Sequence, residues 1–316
     1  MNPYIHLERI EVLVTLQCSS NCKHCSIGAR LNERGSKCID TDKVREAIEY
    51  LAGRYEIRSL MTFGGEPLLY WKTACKIHET ARNKGIMKRQ LITNGYFTKN
   101  VKVLEQAVHN LSESGVNDIL LSVDAFHQEK IPVERVEAFI KEIKKWQIPN
   151  LRMHPAWVVS EEADNTYNRN TRDILEMLKE YQLPVTTGNI IFPAGNAVTY
   201  LKDFYVNELT INSSPLCGSI PYTEALNDVR TLSFEPDGAV KVCAFTIGNI
   251  YEESIEEILI RYNPYENPNM KALLKEGVCG ILTIAEKQGL QILTEDCYSE
   301  CSVCKKAVSE LEHLMN

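Results

Sequence analysis

The sequence predicts an α/β fold of six strand-then-helix units followed by a shorter, cysteine-rich segment. Three observations lead there. Apolar runs of strand length alternate with amphipathic stretches from residue 9 to about 192. Residues suited to ligand binding collect directly after those runs. Beyond residue 192 the rhythm breaks and cysteines become dense. Repeated β-then-α units imply parallel strands joined by right-handed crossovers, hence an α/β sheet or an open barrel.

The elements follow in order. Residues 9–16 (RIEVLVTL) form the first strand, a cysteine loop follows, and a helix covers 41–54. The second strand is 57–63, with a helix over 71–84. The third strand is 89–93, and its helix, 101–114, carries apolar Val101, Leu104, Val108 and Leu111 at helical spacing. Strand four (118–123) precedes a helix over 133–146, strand five (151–159) precedes a helix over 170–181, and a sixth strand covers 185–192. Pro193, Ala194, Gly195 and Asn196 then read as a turn. Farther on, apolar runs 232–234 and 239–243 flank Pro236-Asp237-Gly238, and an Asp-Gly pair suits a tight strand reversal. Helical stretches lie near 255–261 and 268–276. The expected division is a core of residues 1–200 and a C-terminal domain of residues 201–316.

Composition narrows the partners. The 316 residues are 44% hydrophobic and 24% charged, an ordinary balance for a globular protein. A net charge of −7 argues against a nucleic-acid backbone as main partner, because counterion release needs a basic face. No apolar run is long enough to span a membrane, and residues 1–14 lack the pattern of a signal peptide, so a cytoplasmic protein is expected. In that compartment eleven cysteines point to metal binding or redox chemistry rather than disulfides. Three stand at 18, 22 and 25 and six between 217 and 304, which suggests two metal sites; Cys38 and Cys75 stand apart as plain thiols.

In parallel α/β folds ligands sit at the carboxyl ends of the strands. The cysteine loop follows strand one, Gly64-Gly65-Glu66-Pro67 follows strand two, Thr93-Asn94-Gly95 ends strand three, and Ser122-Val123-Asp124 ends strand four. Cys18, Cys22 and Cys25 place three thiols within eight residues, enough to wrap one face of an iron–sulfur cluster and leave one iron open. Spacing alone equally allows a structural zinc with His24 or a distant cysteine as fourth ligand. Adjacent glycines let a backbone approach a ligand closely, and a carboxylate suits an ammonium partner. Asn94, Ser122 and Asp124 also fit turn and helix-cap chemistry. His154 suits either a pocket lining or a structural role.

Cys18-Ser-Ser-Asn-Cys22-Lys-His-Cys25 together with Gly64-Gly65-Glu66-Pro67 resembles the radical SAM superfamily, with its C-x3-C-x2-C and GGEP motifs. His24 stands where that family most often has an aromatic residue. The resemblance implies a partial (β/α)6 TIM-like barrel and a [4Fe–4S] cluster on Cys18, Cys22 and Cys25. It also implies an open iron that chelates S-adenosylmethionine, and cleavage to a 5′-deoxyadenosyl radical. Gly64, Gly65, Glu66 and Pro67 would bind the methionyl amino group; Ser122, Asn94, Asp124 and Arg152 are candidates for its ribose and carboxylate.

In the C-terminal segment, Cys301-Ser-Val-Cys304 is a knuckle that can grip one metal, and Cys217 and Cys243 flank the hairpin. Zinc or iron–sulfur fits this set. Cys217-Gly218, the run from Pro236 to Cys243, and Gly248-Asn249-Ile250 resemble the auxiliary-cluster region of SPASM/twitch proteins. That implies a C-terminal cysteine-rich α+β domain with a second [4Fe–4S] cluster on Cys217, Cys243, Cys301 and Cys304. Cys279 and Cys297 are left over, and a spare cysteine near the pocket could donate a hydrogen atom to a substrate radical. Such proteins mostly modify ribosomally made peptides, so a peptide or protein substrate and an electron donor such as flavodoxin or ferredoxin are expected. A small-molecule dehydrogenase or another maturase is the alternative, and a non-catalytic metal protein is the reading from another class. No separate leader-recognition domain is expected, since the first strand starts by about residue 9.

Overall fold

The computed structural model describes residues 2–31, 38–205, 215–220, 223–295 and 297–315. Its strands are β1 (Ile5–Leu13), β2 (Ser59–Phe63), β3 (Lys88–Thr93), β4 (Asp118–Ser122), β5 (Leu151–His154), β6 (Ala156–Trp157), β7 (Asn189–Ile190), β8 (Val229–Phe234), β9 (Ala239–Val242) and β10 (Phe245–Asn249). Its helices are α1 (Thr41–Arg54), α2 (Trp71–Asn83), α3 (Val101–Glu113), α4 (Ala125–Gln128), α5 (Val133–Lys145), α6 (Thr166–Met177), α7 (Asn196–Tyr200), α8 (Ile255–Arg261), α9 (Pro268–Lys287) and α10 (Glu300–Met315). The fold is mixed α/β around a mostly parallel sheet, as in a partial TIM-like barrel.

One sheet runs β10-β9-β8-β1-β2-β3-β4-β5. From β8 through β5 neighbouring strands are parallel; β8, β9 and β10 pair antiparallel. Parallel strands need a long crossover, and α1, α2, α3 and α5 supply it. The first is typical: Asp40 accepts the N–H groups of Asp42 and Lys43, and Val44, Ala47, Ile48 and Leu51 form the buried stripe.

The sixth strand of the parallel set differs from expectation. Residues 185–192 do not extend the main sheet; β7 pairs with β6, and Val185 makes only an isolated bridge to Met153. Pro155, which lacks an N–H, separates β5 from β6, and its carbonyl accepts Asn189 N–H at 2.8 Å. The sixth parallel strand is β8, which lies beside β1 from the other side of the sheet. The expected division at 200/201 therefore separates sequence patterns, while in space the later strands continue the earlier sheet. A single buried cluster includes Ile10, Leu51, Phe234, Ile258, Val303 and Leu311. Among the described residues, no helix is long and apolar enough to cross a membrane.

Candidate functional site

The pairing of β1 with β2 continues past both strands and delivers the cysteine loop to the site. Val14 N–H donates to Phe63 O, Gly65 N–H to Thr15 O and Glu66 N–H to Gln17 O, each at 2.8 Å. The approach is so close that only glycine fits. A Cβ on Gly64 would lie 2.5 Å from Thr15 O, and one on Gly65 would lie 2.1 Å from Gln17 O. The glycine pair thus clamps the two backbones immediately before Cys18.

Around that clamp the three thiols gather. Ser20 N–H donates to Cys18 Sγ at 3.4 Å, Ser20 Oγ lies 3.2 Å from Cys22 Sγ, and Asn94 Nδ2 lies 3.9 Å from Cys18 Sγ. Burial pushes Cys18 up to about 12, with the charges of Glu66 and Cys25 acting the same way. Burial does the same to Cys22, also to about 12, helped by Asp124, Cys18 and Cys25. Three soft donors that sense one another in a partly buried loop are a donor set suited to iron–sulfur ligation, which displaces the thiol protons.

A brace outside the sequence motifs holds the loop. Asn196 Nδ2 donates to Cys22 O and its N–H to Cys25 O, both at 3.0 Å. Gly195, at φ 57°, sits where a Cβ would lie 2.6 Å from Cys25 O. The Pro193–Asn196 turn signal located this segment, but nothing in the sequence tied it to the cysteines.

Glu66 is fully buried, and its carboxylate is committed inside the protein. Leu68 N–H and Thr93 O–H donate to Oε1 at 2.9 and 2.7 Å, and Asn94 N–H donates to Oε2 at 2.9 Å. Burial lifts its pKa to about 7 against the pull of these donors. Its side chain therefore ties the ends of β2 and β3 together. Pro67, also buried, opens the short turn after it. Asn94 Nδ2, besides approaching Cys18, reaches Ser19 Oγ at 3.2 Å.

Asp124 is likewise engaged by groups of the protein itself. It caps α4, accepting Phe126 and His127 N–H at 3.0 Å, while Oδ2 meets His127 Nδ1 at 2.8 Å and Ala156 N–H at 3.2 Å. Burial opposes its ionisation, but the neighbouring His127 and these donors hold it down to about 2. Arg152 bonds Asp118, the first residue of β4, and so reaches toward the end of the sheet opposite the cysteines. Ser122 ends β4 in register with His154, whose Nδ1 lies 2.7 Å from Thr186 Oγ1. His127 was not apparent from sequence; its signal is the Asp124-Ala-Phe-His127 spacing of a capped helix start.

The distal thiols come from three segments. Cys217 precedes β8, Cys243 sits at φ 54° between β9 and β10, and Cys301 and Cys304 lie in the first turns of α10. Burial pushes Cys217 up to about 11 and Cys304 up to about 12, and the other three thiols add to the shift of Cys304. Cys297 is buried in the main core and Cys279 lies along α9.

A parallel α/β sheet with a clamped three-thiol loop at its carboxyl edge defines a metallocofactor enzyme frame. The chain belongs to the radical SAM superfamily, whose model matches residues 12–204. It is 27% identical over 117 residues to a probable GTP 3',8-cyclase of Methanococcus vannielii, covering 37% of this chain and 36% of that one. It is 34% identical over 62 residues to an L-lysine 2,3-aminomutase of Acetoanaerobium sticklandii, covering 20% of this chain and 15% of that one. The chain thus spans well under half the length of these curated relatives. Native anSMEcpe with bound AdoMet superposes with a TM-score of 0.55 over 98% of both chains at 16% identity, a likeness of fold.

Proposed function

We propose that this radical SAM enzyme holds a [4Fe–4S] cluster on Cys18, Cys22 and Cys25 and acts on a peptide or protein. The clamp of Gly64 and Gly65 against Thr15 and Gln17 carries the cluster assignment, because it fixes the thiol loop at the carboxyl ends of β1 and β2. When bound, the cluster and S-adenosylmethionine supply a 5′-deoxyadenosyl radical that abstracts a substrate hydrogen. The chain's own part is positional. Asn94 holds Cys18 and Ser19, Glu66 locks the strand ends that carry Asn94, and Gly64, Gly65, Pro67 and Ser122 frame the cofactor. A low-potential donor such as flavodoxin or ferredoxin would supply the electron.

The mutual approach of Cys217, Cys243, Cys301 and Cys304 supports a second, auxiliary cluster of the SPASM/twitch type, and with it a peptide substrate. A small-molecule substrate is the second reading, favoured by relatives named a GTP cyclase and a lysine aminomutase. The test uses anaerobically reconstituted, reduced protein with S-adenosylmethionine and a cell extract of its source. Stimulation of 5′-deoxyadenosine formation that protease treatment of the extract abolishes supports the peptide reading. Stimulation that survives protease and passes a small-molecule filter supports the other.

A further inference from the structure

We propose that Cys22, His24 and His127 form a mononuclear site for a divalent metal of the zinc type, used when the loop carries no cluster. Because Cys22 belongs to both sets, metal and cluster exclude each other; that exclusion rests on the cluster assignment above, while the site itself does not.

The ligand atoms of these three residues already lie within 4.8 Å of one another. Contraction to about 3.5 Å brings them to the spacing of donors around a tetrahedral zinc. His127 is oriented for the task. Its Nδ1 lies 2.8 Å from Asp124 Oδ2, so Nδ1–H donates to the carboxylate and Nε2 keeps its lone pair for a metal. A buried carboxylate behind an imidazole is the arrangement that fixes ring and tautomer at metal sites. His24 supplies the independent sign: its Nδ1 is buried without a hydrogen-bond partner, an uncompensated polar atom on a member of the same trio. Its ring centroid lies 5.0 Å from that of His127, edge to face, and 4.7 Å from Phe126, which leaves little room for the ring to turn away.

One thiolate and two imidazoles suit zinc, with water in the fourth position. Binding forms the metal–sulfur bond as Cys22 gives its proton to solvent, with no change of oxidation state. Cys18 and Cys25 lie outside this trio, so the metal uses the loop differently from a cluster.

The test titrates the cluster-free full chain with cobalt(II), a coloured stand-in, and then displaces it with zinc. Parent, His24→Phe, His24→Gln, His127→Phe and Cys18→Ala/Cys25→Ala are compared, with far-UV circular dichroism to show that each is folded. The parent should bind one cobalt more than each His variant, and the difference spectrum should show the absorption of a single thiolate. The double cysteine variant should keep that equivalent. Equal binding by parent and His variants would overturn the proposal, as would loss of the equivalent in the double cysteine variant. Iron uptake by the parent is measured in parallel. A parent that takes no iron at the loop yet shows the cobalt difference removes the cluster assignment and leaves the metal site standing.

Discussion

Replacing Gly65 with alanine strikes the clamp with the least ambiguity. The added Cβ would sit 2.1 Å from Gln17 O, 2.6 Å from Gln17 C and 3.0 Å from Leu16 C. All three are backbone atoms, so no rotamer change relieves the clash. Ordinary contact requires the chains to part by about 1 Å. That separation breaks the 2.8 Å hydrogen bonds from Gly65 N–H to Thr15 O and from Glu66 N–H to Gln17 O. Each bond is worth about 1 kcal/mol. Overpacking adds about 1–3 kcal/mol. The sum, about 3–5 kcal/mol, predicts a melting temperature lower by roughly 5–8 °C for a chain of 316 residues. Gly53→Ala is the control, because no atom lies within 4 Å of its Cβ position and alanine favours the helix it occupies. Thermal unfolding by circular dichroism and iron per chain after reconstitution are the assays. A Gly65→Ala protein that melts with the control and keeps its iron would refute the clamp.

The other predictions concern the buried carboxylates and the distal thiols. Glu66 has a folded pKa near 7, raised by burial from 4.5, so the folded state holds its proton more tightly than the unfolded chain. Its contribution is full below pH 4.5 and falls by about 3 kcal/mol as pH rises to 7. Chemical denaturation of Glu66→Gln should lack that loss, and parallel curves for variant and parent would contradict it. Asp124 has the opposite sign: held down to about 2 from 3.8, it stabilises above pH 3.8. About 2 kcal/mol is lost as pH falls through 2, a slope that Asp124→Asn should flatten in acid denaturation. Cys301→Ser/Cys304→Ser should lower reconstituted iron from about eight to about four per chain; unchanged iron would remove the second cluster.

Much of the frame was legible because it rests on short-range pattern. The stripe Val44, Ala47, Ile48 and Leu51 fixes α1, and the Asp237-Gly238 reversal fixes the β8–β9 hairpin. The cysteine loop and the glycine pair were legible for the same reason, since each motif is contiguous. What escaped was set by long-range packing. No local signal distinguishes residues 185–192 from a barrel strand, and only Pro155 and the pairing of β6 with β7 divert them. The parallel seat of β8 beside β1 joins residues more than 200 apart in sequence. The donors that Glu66 draws from Thr93 and Asn94, and Asp124 from Ala156, lie on other segments and leave no local signal. His127 and Asn196 matter through what the fold places beside Cys22.

The central claim is that the loop at Cys18, Cys22 and Cys25 cleaves S-adenosylmethionine. It is tested by reconstituting the parent and its triple alanine variant anaerobically, reducing both with dithionite, and measuring 5′-deoxyadenosine by liquid chromatography. The parent should form it, and the variant should form none while retaining the iron of the distal site. Equal formation by both proteins would contradict the account.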